Sequence, residues 1–354
     1  MEDVKLLEGK IRPIKEEDKK NLTKYSFSKI DQFLSCPYAY DLKYNKGQYP
    51  EQNAIYLDLG TLCHKILELK GRSIIDNNPQ YTDIDALKVI LEKGITEKTD
   101  KGLEEIIGLE DIKKKFGIEK YYEPDNASGM NYAEKIELFM NTVLPNAFNS
   151  DNYNVNNSEQ NFEFVYNYKH NDIDKEIILS GFIDRVDKSD TGYKVIDYKT
   201  GKKIFRDADV KTSLQQGIYG LAVYNKLGVL PEEYEYNFIF LNQKQEANSK
   251  GYLKRLIAKL DKTFDKIDTA QETKEYNPSP CPLCYYCSYC ENNPDASHPH
   301  NKMCEYYSLW TPDNKTFATN KAWNTDCKEQ NNILTNETKS DTVVETPIKR
   351  KLIF

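Results

Sequence analysis

Residues 181–199 constrain the fold of this 354-residue chain more than any other stretch. Their sequence, GFIDRVDKSDTGYKVIDYK, has turn-forming residues at 189–192 between two segments in which apolar and charged residues alternate. Alternation of this kind is typical of β-strands, so the stretch predicts a β-hairpin. A four-residue loop at 189–192 would set Asp184 directly opposite Asp197, with both side chains on one face. The sequence therefore predicts a sheet that carries two facing carboxylates.

Two facing carboxylates need a positive partner, because like charges opposite each other destabilise a sheet. Carboxylate oxygens are hard ligands, which suit Mg²⁺ or Mn²⁺. Lys199 lies two residues beyond Asp197 and shares its face. An ammonium group there can stabilise a pentavalent phosphate or help a water to lose its proton. Taken alone, an Asp-x-Lys pair is more often a solvated surface ion pair, so the wider pattern has to decide.

Motifs around the hairpin follow a recognisable order. Gln215 and Tyr219 lie four residues apart in LQQGIYG, on one face of a predicted helix. The series G-x-x-D, D-x-K and Q-x-x-x-Y resembles the RecB-like branch of the PD-(D/E)XK nucleases. The resemblance implies that Asp184 and Asp197 bind metal and that Lys199 is the catalytic lysine. Gln215 and Tyr219 would orient the site or contact the nucleic-acid backbone.

A histidine earlier in the chain extends this resemblance. Residues 60–68, GTLCHKILE, have helical apolar spacing and carry His64 four residues after Gly60. A single histidine on a helix is more often packed or exposed than a metal ligand. The spacing matches the family's G-x-x-x-H motif, which implies that His64 is a third metal ligand. The backbone carbonyl of Tyr198 would be a further one.

The order of predicted elements indicates an α/β architecture. Residues 161–168 alternate as a strand, the hairpin follows, a helix covers 213–225, and a further strand covers 235–241. Residues 82–148 have mainly helical spacing and are interpreted as an insertion that covers the sheet. The resemblance implies a PD-(D/E)XK, restriction-endonuclease-like core, which is a mixed central sheet flanked by helices.

Cysteines are concentrated in CPLCYYCSYC, which contains Cys281, Cys284, Cys287 and Cys290. Repeated C-x2-C spacing in an intracellular chain indicates a metal or iron–sulfur site rather than disulfides. Relatives with a 4Fe-4S cluster use one cysteine before the nuclease core and three after it, spaced C-x2-C-x5-C. Cys36, Cys281, Cys284 and Cys290 match that set. The additional Cys287 leaves two alternatives open, a local four-cysteine cluster and a Zn²⁺ site.

The expected domain organisation follows from these motifs. Residues 1–24 are expected to be a flexible lead-in, 25–310 the nuclease domain, and 311–354 a mostly disordered polar tail. Within the domain, Ser28 is expected to cap the first helix, and segment 277–304 to close on Cys36 through the cluster. The tail ends in TPIKRKLIF, a candidate docking peptide for a replication or recombination protein, with a frayed end as the alternative.

Composition sets the remaining expectations. The net charge of -7 argues against indiscriminate binding of polyanions, although local basic patches decide contact with DNA. The chain has no long apolar run and no signal-peptide pattern, so we expect a cytoplasmic protein without membrane contact. The expected function is that of a divalent-metal-dependent DNA exonuclease acting on single-stranded or end-containing DNA in recombination, repair or replication. The alternative is a catalytically idle DNA-binding or assembly module.

Overall fold

The computed structural model describes residues 5–50, 54–99, 102–125, 127–149, 154–248, 251–281, 284, 287–289 and 304. They belong to two compact units, the first within 1–27 and 54–261 and the second within 28–53 and 262–354. Cys290 and the predicted tail, with its candidate docking peptide, lie outside the described residues. Nowhere in the described residues is a helix long and apolar enough to cross a membrane.

The first unit is built around a mixed sheet of seven strands. With the two strands of a smaller sheet, the described residues contain nine strands: β1 (Ile11–Pro13), β2 (Lys24–Tyr25), β3 (Ile95–Thr99), β4 (Gly102–Ile106), β5 (Asn154–His170), β6 (Ile173–Lys188), β7 (Tyr193–Lys199), β8 (Glu233–Phe238) and β9 (Gln243–Asn248). The main sheet has the order β1-β5-β6-β7-β8-β9, with β2 also pairing with β6, while β3 and β4 form a separate sheet. The β7–β8 and β2–β6 pairs are parallel, and the other pairs are antiparallel.

Helices precede, interrupt and follow these strands. They are α1 (Asp18–Asn21), α2 (Phe27–Ser35), α3 (Pro37–Tyr40), α4 (Ile55–Ile75), α5 (Ile84–Lys93), α6 (Leu109–Phe116), α7 (Ile118–Tyr122), α8 (Tyr132–Leu138), α9 (Leu144–Asn146), α10 (Asp207–Lys211), α11 (Leu214–Leu227) and α12 (Leu253–Thr273). Short π-helical turns cover Asp41–Asn45 and Phe139–Val143, and a 3₁₀ turn covers Pro79–Tyr81. The predicted α/β fold, a mixed central sheet flanked by helices, is confirmed.

The hairpin of β6 and β7 has the predicted register. Arg185 pairs with Ile196, and the four-residue loop at 189–192 is closed by a backbone hydrogen bond of 2.9 Å. The ladder ends at this pair, and the same register continued by one step puts Asp184 opposite Asp197. The turn chemistry seen in the sequence is therefore sufficient to place both carboxylates on the same face.

The opposite face of the hairpin is buried. Ile196 and Tyr198 belong to the same hydrophobic core as apolar residues of α4 and of the predicted insertion. The buried Arg185 guanidinium donates to Asp187 (Nε to Oδ1, 2.6 Å) and to the carbonyl oxygen of Ala147 (2.6 Å). A buried charge is tolerable when it is paired and hydrogen-bonded in this way. The contact to Ala147 ties the end of the insertion to the back of the hairpin.

The insertion at 82–148 is less helical than predicted, because β3 and β4 form a hairpin within it. Gly94 ends α5 with φ +76°, and a Cβ there would lie 2.2 Å from the Ile106 carbonyl oxygen. Only glycine permits that conformation together with such a close approach. The segment ITEKT that follows contains three β-branched residues, which favour a strand. A strand of five residues is too short to be recognised within a sequence whose surroundings have mainly helical spacing.

The N-terminal segment also differs from the prediction. Instead of a flexible lead-in at 1–24, β1 pairs with β5, and β2 pairs with β6. These strands are too short to show a periodic pattern of their own. Ser28 lies in the first turn of α2 rather than at its N-cap, because the helix begins at Phe27.

Helix α4 packs on β5 through a contact that requires glycine. A Cβ at Gly71 would lie 2.4 Å from Oγ and 2.7 Å from Cβ of Ser158. We expect Gly71→Ala to lower the free energy of unfolding by about 1–3 kcal/mol, the usual cost of overpacking. Equilibrium unfolding in urea measures this loss as a lower midpoint at an unchanged slope.

The matched control for Gly71→Ala is Ser158→Gly, which removes both of the atoms that would clash. On the Gly71→Ala background it should recover part of the stability, although it also removes the hydrogen bond from Ser158 to the Glu68 carbonyl (3.2 Å). If Gly71→Ala costs the same with and without the Ser158 side chain, the two positions are not in this contact.

Candidate functional site

The site is formed where two helices approach the β6–β7 hairpin, α4 packing on the side of Ile196 and Tyr198 and α11 lying beside Asp197. Helix α4 carries His64 to Asp184, and α11 carries Gln215 to Asp197. Each facing carboxylate therefore has its own helical partner. The structure brings together the side chains of the hairpin, histidine and Q-x-x-x-Y motifs, which are His64, Asp184, Asp197, Lys199, Gln215 and Tyr219.

Asp184 is held by a helix side chain and by the neighbouring strand. Its Oδ2 accepts a hydrogen bond from the Tyr198 backbone N–H at 2.7 Å, and its Oδ1 lies 3.5 Å from Nδ1 of His64. Burial opposes ionisation, but His64 and the hydrogen bonds outweigh it, so the pKa of Asp184 is lowered. Burial likewise disfavours the imidazolium, yet the charge of Asp184 raises the pKa of His64 above its usual 6.5.

Asp197 is more deeply buried than Asp184, with 3% of its side chain exposed against 17%. Its Oδ2 lies 2.5 Å from the Lys199 ammonium, and its Oδ1 accepts a hydrogen bond from Gln215 at 3.0 Å. Burial raises the pKa of Asp197 to about 6, with Lys199 opposing this shift and Asp184 adding to it. The two facing carboxylates thus have pKa values displaced in opposite directions.

The Gln215 amide connects the lysine to the second carboxylate. Its Oε1 accepts a hydrogen bond from Lys199 at 3.1 Å, while its Nε2 donates to Asp197 and to the Tyr219 hydroxyl at 2.8 Å. Ser213 caps α11 by accepting a hydrogen bond from the Gln216 backbone N–H, which fixes where the helix begins. The one-turn spacing of Gln215 and Tyr219 then puts both on the face that meets the hairpin.

One acidic residue near the site was not identified from the sequence. Glu159 lies on β5 at the step facing Asp184, between the pairs Ser158–Arg185 and Gln160–Ile183. It has a positive φ of 51°, and its pKa is raised to about 7 by burial and by the charges of Glu68 and Asp184. Such a shift marks a carboxyl group close to other acids.

A second glutamate of this strand lies away from Asp184. Glu163 pairs with Lys24 of β2 and is opposite Ser180. The signal for Glu159 is the turn between β5 and β6, where Asn171 and Asp172 have φ of 49° and 61°. Two successive positive φ values are typical of a tight hairpin turn, and Asn-Asp favours it. Counting back from that turn reaches Glu159 opposite Asp184.

The donors at the hairpin are carboxylate oxygens and an imidazole, which suit a hard divalent cation. Among the described residues, no three His, Cys, Asp or Glu side chains already form a group that could hold a metal ion. His64 faces Asp184, and Lys199 covers one oxygen of Asp197. That oxygen, Oδ2, is buried and accepts no hydrogen bond from the described residues beyond this ion pair. A bound cation would stabilise the negative charge of this buried oxygen further.

The described cysteines of the second unit lie near one another. The Sγ of Cys36 accepts a hydrogen bond from the Ser279 N–H at 3.5 Å, and the Sγ of Cys284 accepts one from the Cys281 N–H at 3.0 Å. Burial raises the pKa of the Cys36 thiol, with Cys281 close enough to contribute. Cys36, Cys287 and Cys304 pack around the buried residues Ala39, Leu42 and Tyr289. The two segments of this unit, one within 28–53 and the other beginning at 262, therefore meet near Cys36. Cys290 and Cys327 lie outside the described residues.

Comparison with known proteins places this geometry in a family. The model of the PD-(D/E)XK nuclease superfamily matches residues 24–291. The chain is 28% identical over 240 residues to a subunit of the ATP-dependent helicase/deoxyribonuclease of Clostridium tetani, and the match covers 64% of this chain and 19% of that protein. The corresponding subunits of Acetivibrio thermocellus (27% over 201 residues) and Clostridioides difficile (26% over 202 residues) each match 54% of this chain and 16% of their own length.

The chain thus spans less than a fifth of these curated relatives. The family match, by contrast, covers the whole hairpin, both helices of the site and the cysteine-rich segment. The resemblance inferred from the motifs is confirmed at this level, and the chain belongs to the PD-(D/E)XK nuclease superfamily.

Proposed function

We propose that this protein is a divalent-metal-dependent DNA nuclease that hydrolyses phosphodiester bonds. The observation that carries the proposal is the cluster of His64, Asp184, Asp197, Lys199 and Gln215 at the hairpin. Membership of a nuclease superfamily and relatives named as deoxyribonuclease subunits support it. An exonuclease mode on single-stranded or end-containing DNA, in recombination, repair or replication, is included on the family resemblance alone.

Mg²⁺ or Mn²⁺ would be held by His64, Asp184 and Asp197, with the carbonyl of Tyr198 as a further ligand. The chemistry of the donor set supports this, because two carboxylates and an imidazole suit such an ion. When bound, such an ion polarises the scissile phosphate and lowers the pKa of water. The contacts of His64 with Asp184 and of Lys199 with Asp197 would be exchanged for contacts with the ion.

The residues of the chain itself would act through position and charge. Lys199, released from Asp197, would remain fixed by Gln215 and place its ammonium beside the attacking water or the phosphate oxygens. Gln215 would orient Lys199 and Asp197 together, since its amide bonds to both. The Tyr219 hydroxyl accepts a hydrogen bond from the same amide nitrogen, so Tyr219 is a positioning residue for Gln215.

We further propose that the second unit holds a 4Fe-4S cluster on Cys36, Cys281, Cys284 and Cys290. The proximity of Cys36 to Ser279, 243 residues away in the chain, and to Cys281 supports a ligand set that joins both segments. Cys287 is also in this neighbourhood, so a local four-cysteine cluster and a Zn²⁺ site remain the competing assignments. Closing so long a loop would stabilise the folded chain.

Replacement of the lysine tests the nuclease proposal directly. We expect Lys199→Ala to lower DNA cleavage by about 100-fold or more, the range for loss of a group acting on the transition state. The assay uses end-labelled single- and double-stranded DNA, linear and circular, with Mg²⁺, Mn²⁺ or EDTA. EDTA should abolish cleavage, and circular substrates report whether ends are needed.

Lys226→Ala is the matched control, because Lys226 is an exposed lysine three turns along α11 from Gln215. It should cleave at the wild-type rate. If metal-loaded wild type cleaves no DNA with either ion, the nuclease proposal is wrong. The alternative, a catalytically idle DNA-binding or assembly module, would then explain the family match.

The pKa shifts at the site predict how metal dependence varies with pH. Metal binding needs His64 to be neutral and Asp197 to be ionised. The pKa values of both groups are raised, that of Asp197 to about 6. Both groups gain protons as the pH falls through these values, so protons compete with the metal. We expect the Mg²⁺ concentration for half-maximal cleavage to rise at least several-fold from pH 8 to pH 6. An unchanged requirement over this interval would contradict the assignment of these ligands.

Single cysteine variants test the cluster assignment. We expect anaerobically purified Cys36→Ala to lose the visible absorbance of an iron–sulfur cluster and Cys287→Ala to keep it. Iron and sulfide analysis should give the same result, and zinc in place of iron would favour the Zn²⁺ site. The reverse result, with loss in Cys287→Ala and retention in Cys36→Ala, would assign the cluster to the local cysteines.

A further inference from the structure

An exposed cationic segment leaves the site directly after Lys199. Residues 201–206, GKKIFR, contain three basic residues in six positions. Within the described part of the chain, Lys202 and Lys203 form no ion pair. Arg206 differs, since it pairs with Asp209 at 2.7 Å. The two lysines therefore present charge that the described structure does not use.

Two apolar side chains are exposed beside these lysines. Ile204 is 48% exposed and Phe205 is 39% exposed. Exposed apolar side chains that adjoin one another can form part of an interaction site. The combination of positive charge with an apolar and an aromatic face is what single-stranded nucleic acid binds, through its phosphates and its bases.

The segment is held in place rather than merely attached at its ends. The Phe205 backbone N–H donates to Oε1 of Gln245, and the Gln245 Nε2 donates to the Phe205 carbonyl, both at 2.8 Å. Through these two bonds, the side-chain amide of Gln245 pairs with the Phe205 backbone as a neighbouring strand would. The Phe205 ring packs edge-on against Tyr236 and Phe238, with centroid distances of 4.9 and 5.2 Å. A surface loop fixed in this way is preorganised for binding.

The same aromatic contact connects the segment to the reacting residues. The ring of Tyr236 lies 5.4 Å from the Lys199 ammonium and also contacts Phe205. At the base of the segment, Thr200 packs closely on Gly60 of α4, where a Cβ would lie 3.1 Å from the Thr200 Oγ1. A strand whose phosphate is next to Lys199 would therefore have its neighbouring nucleotides within reach of residues 202–205.

We infer that residues 201–206 form a strand-guiding loop, which binds single-stranded DNA next to the scissile phosphate. Lys202 and Lys203 contact phosphates that flank the cleaved bond, and Ile204 and Phe205 pack against a base. This inference rests on the proposed nuclease function and adds to it the residues that take up the strand. Because the chain has a net charge of -7, such a local positive patch is needed to attract a polyanion.

The test compares Lys202→Ala/Lys203→Ala with a control of equal charge, Lys93→Ala/Lys114→Ala. Lys93 and Lys114 are exposed lysines of α5 and α6 that form no ion pair among the described residues. Binding of a fluorescent single-stranded oligonucleotide is measured by anisotropy in EDTA over a range of salt concentrations. Since each phosphate contact on a single strand contributes about 0.7 to the slope of log K against log salt, we expect the slope to fall by about 1.4.

Cleavage kinetics separate strand binding from chemistry. For the oligonucleotide we expect KM of the loop variant to rise about tenfold with little change in kcat, the result of losing uniform binding. On bis(p-nitrophenyl) phosphate, which has no flanking nucleotides, the loop variant should match wild type, whereas Lys199→Ala should be inactive. The control variant should match wild type in every assay.

Two further variants probe the loop while keeping its charge. Ile204→Ser should weaken oligonucleotide binding without changing the salt slope, and Gln245→Leu should raise KM by freeing Phe205. An unchanged slope and KM in the double lysine variant would overturn the strand-guiding loop and leave the nuclease proposal intact. Equal loss on bis(p-nitrophenyl) phosphate would also overturn it, since the damage would then be in the site. Wild type inactive on both substrates would instead refute the proposed function, while the salt slope still tests the loop.

Discussion

Repulsion between Asp184 and Asp197 is the constraint on which the rest of this structure depends. They directly follow the Arg185–Ile196 pair that ends the β6–β7 ladder, so backbone pairing limits how far apart they can move. Each is stabilised by a different set of donors, His64 and the Tyr198 amide for one and Lys199 with Gln215 for the other. Helices α4 and α11 have to meet the sheet at this point, since they supply the donors from outside the hairpin.

The two faces of the hairpin solve the same electrostatic problem in different ways. On the back face, Arg185 and Asp187 neutralise each other in isolation from water and anchor the Ala147 carbonyl. On the front face, His64 and Lys199 each contact one carboxylate, and the pKa values of Asp184 and Asp197 are displaced in opposite directions. The back-face pair is almost fully buried, whereas His64 and Lys199 are partly exposed. Because successive side chains of a strand point to opposite faces, these two environments stay separate.

The sequence was most informative where a local rule determined a long-range contact. The turn at 189–192 was enough to place Asp184 opposite Asp197, and helical spacing was enough to group Gln215 with Tyr219. Glu159 was missed because its position depends on the tight turn at Asn171 and Asp172, some 12 residues away. The same limit explains the unpredicted strands β1–β4, since two to five residues carry no periodic signal and are decided by their partners. Burial and pKa shifts at the site arise from tertiary contacts that no single segment contains.

The cysteine neighbourhood has a consequence for how the protein is made. The second unit combines residues 28–53 with residues 262–354, and most of the first unit is encoded between them. During translation at about 5–20 residues per second, Cys36 emerges roughly 12–50 seconds before Cys281. Throughout that interval its thiol lacks the neighbours that bury it in the finished protein. Cys36 is therefore open to oxidants and to stray metal ions until the later segment of its own unit has been made.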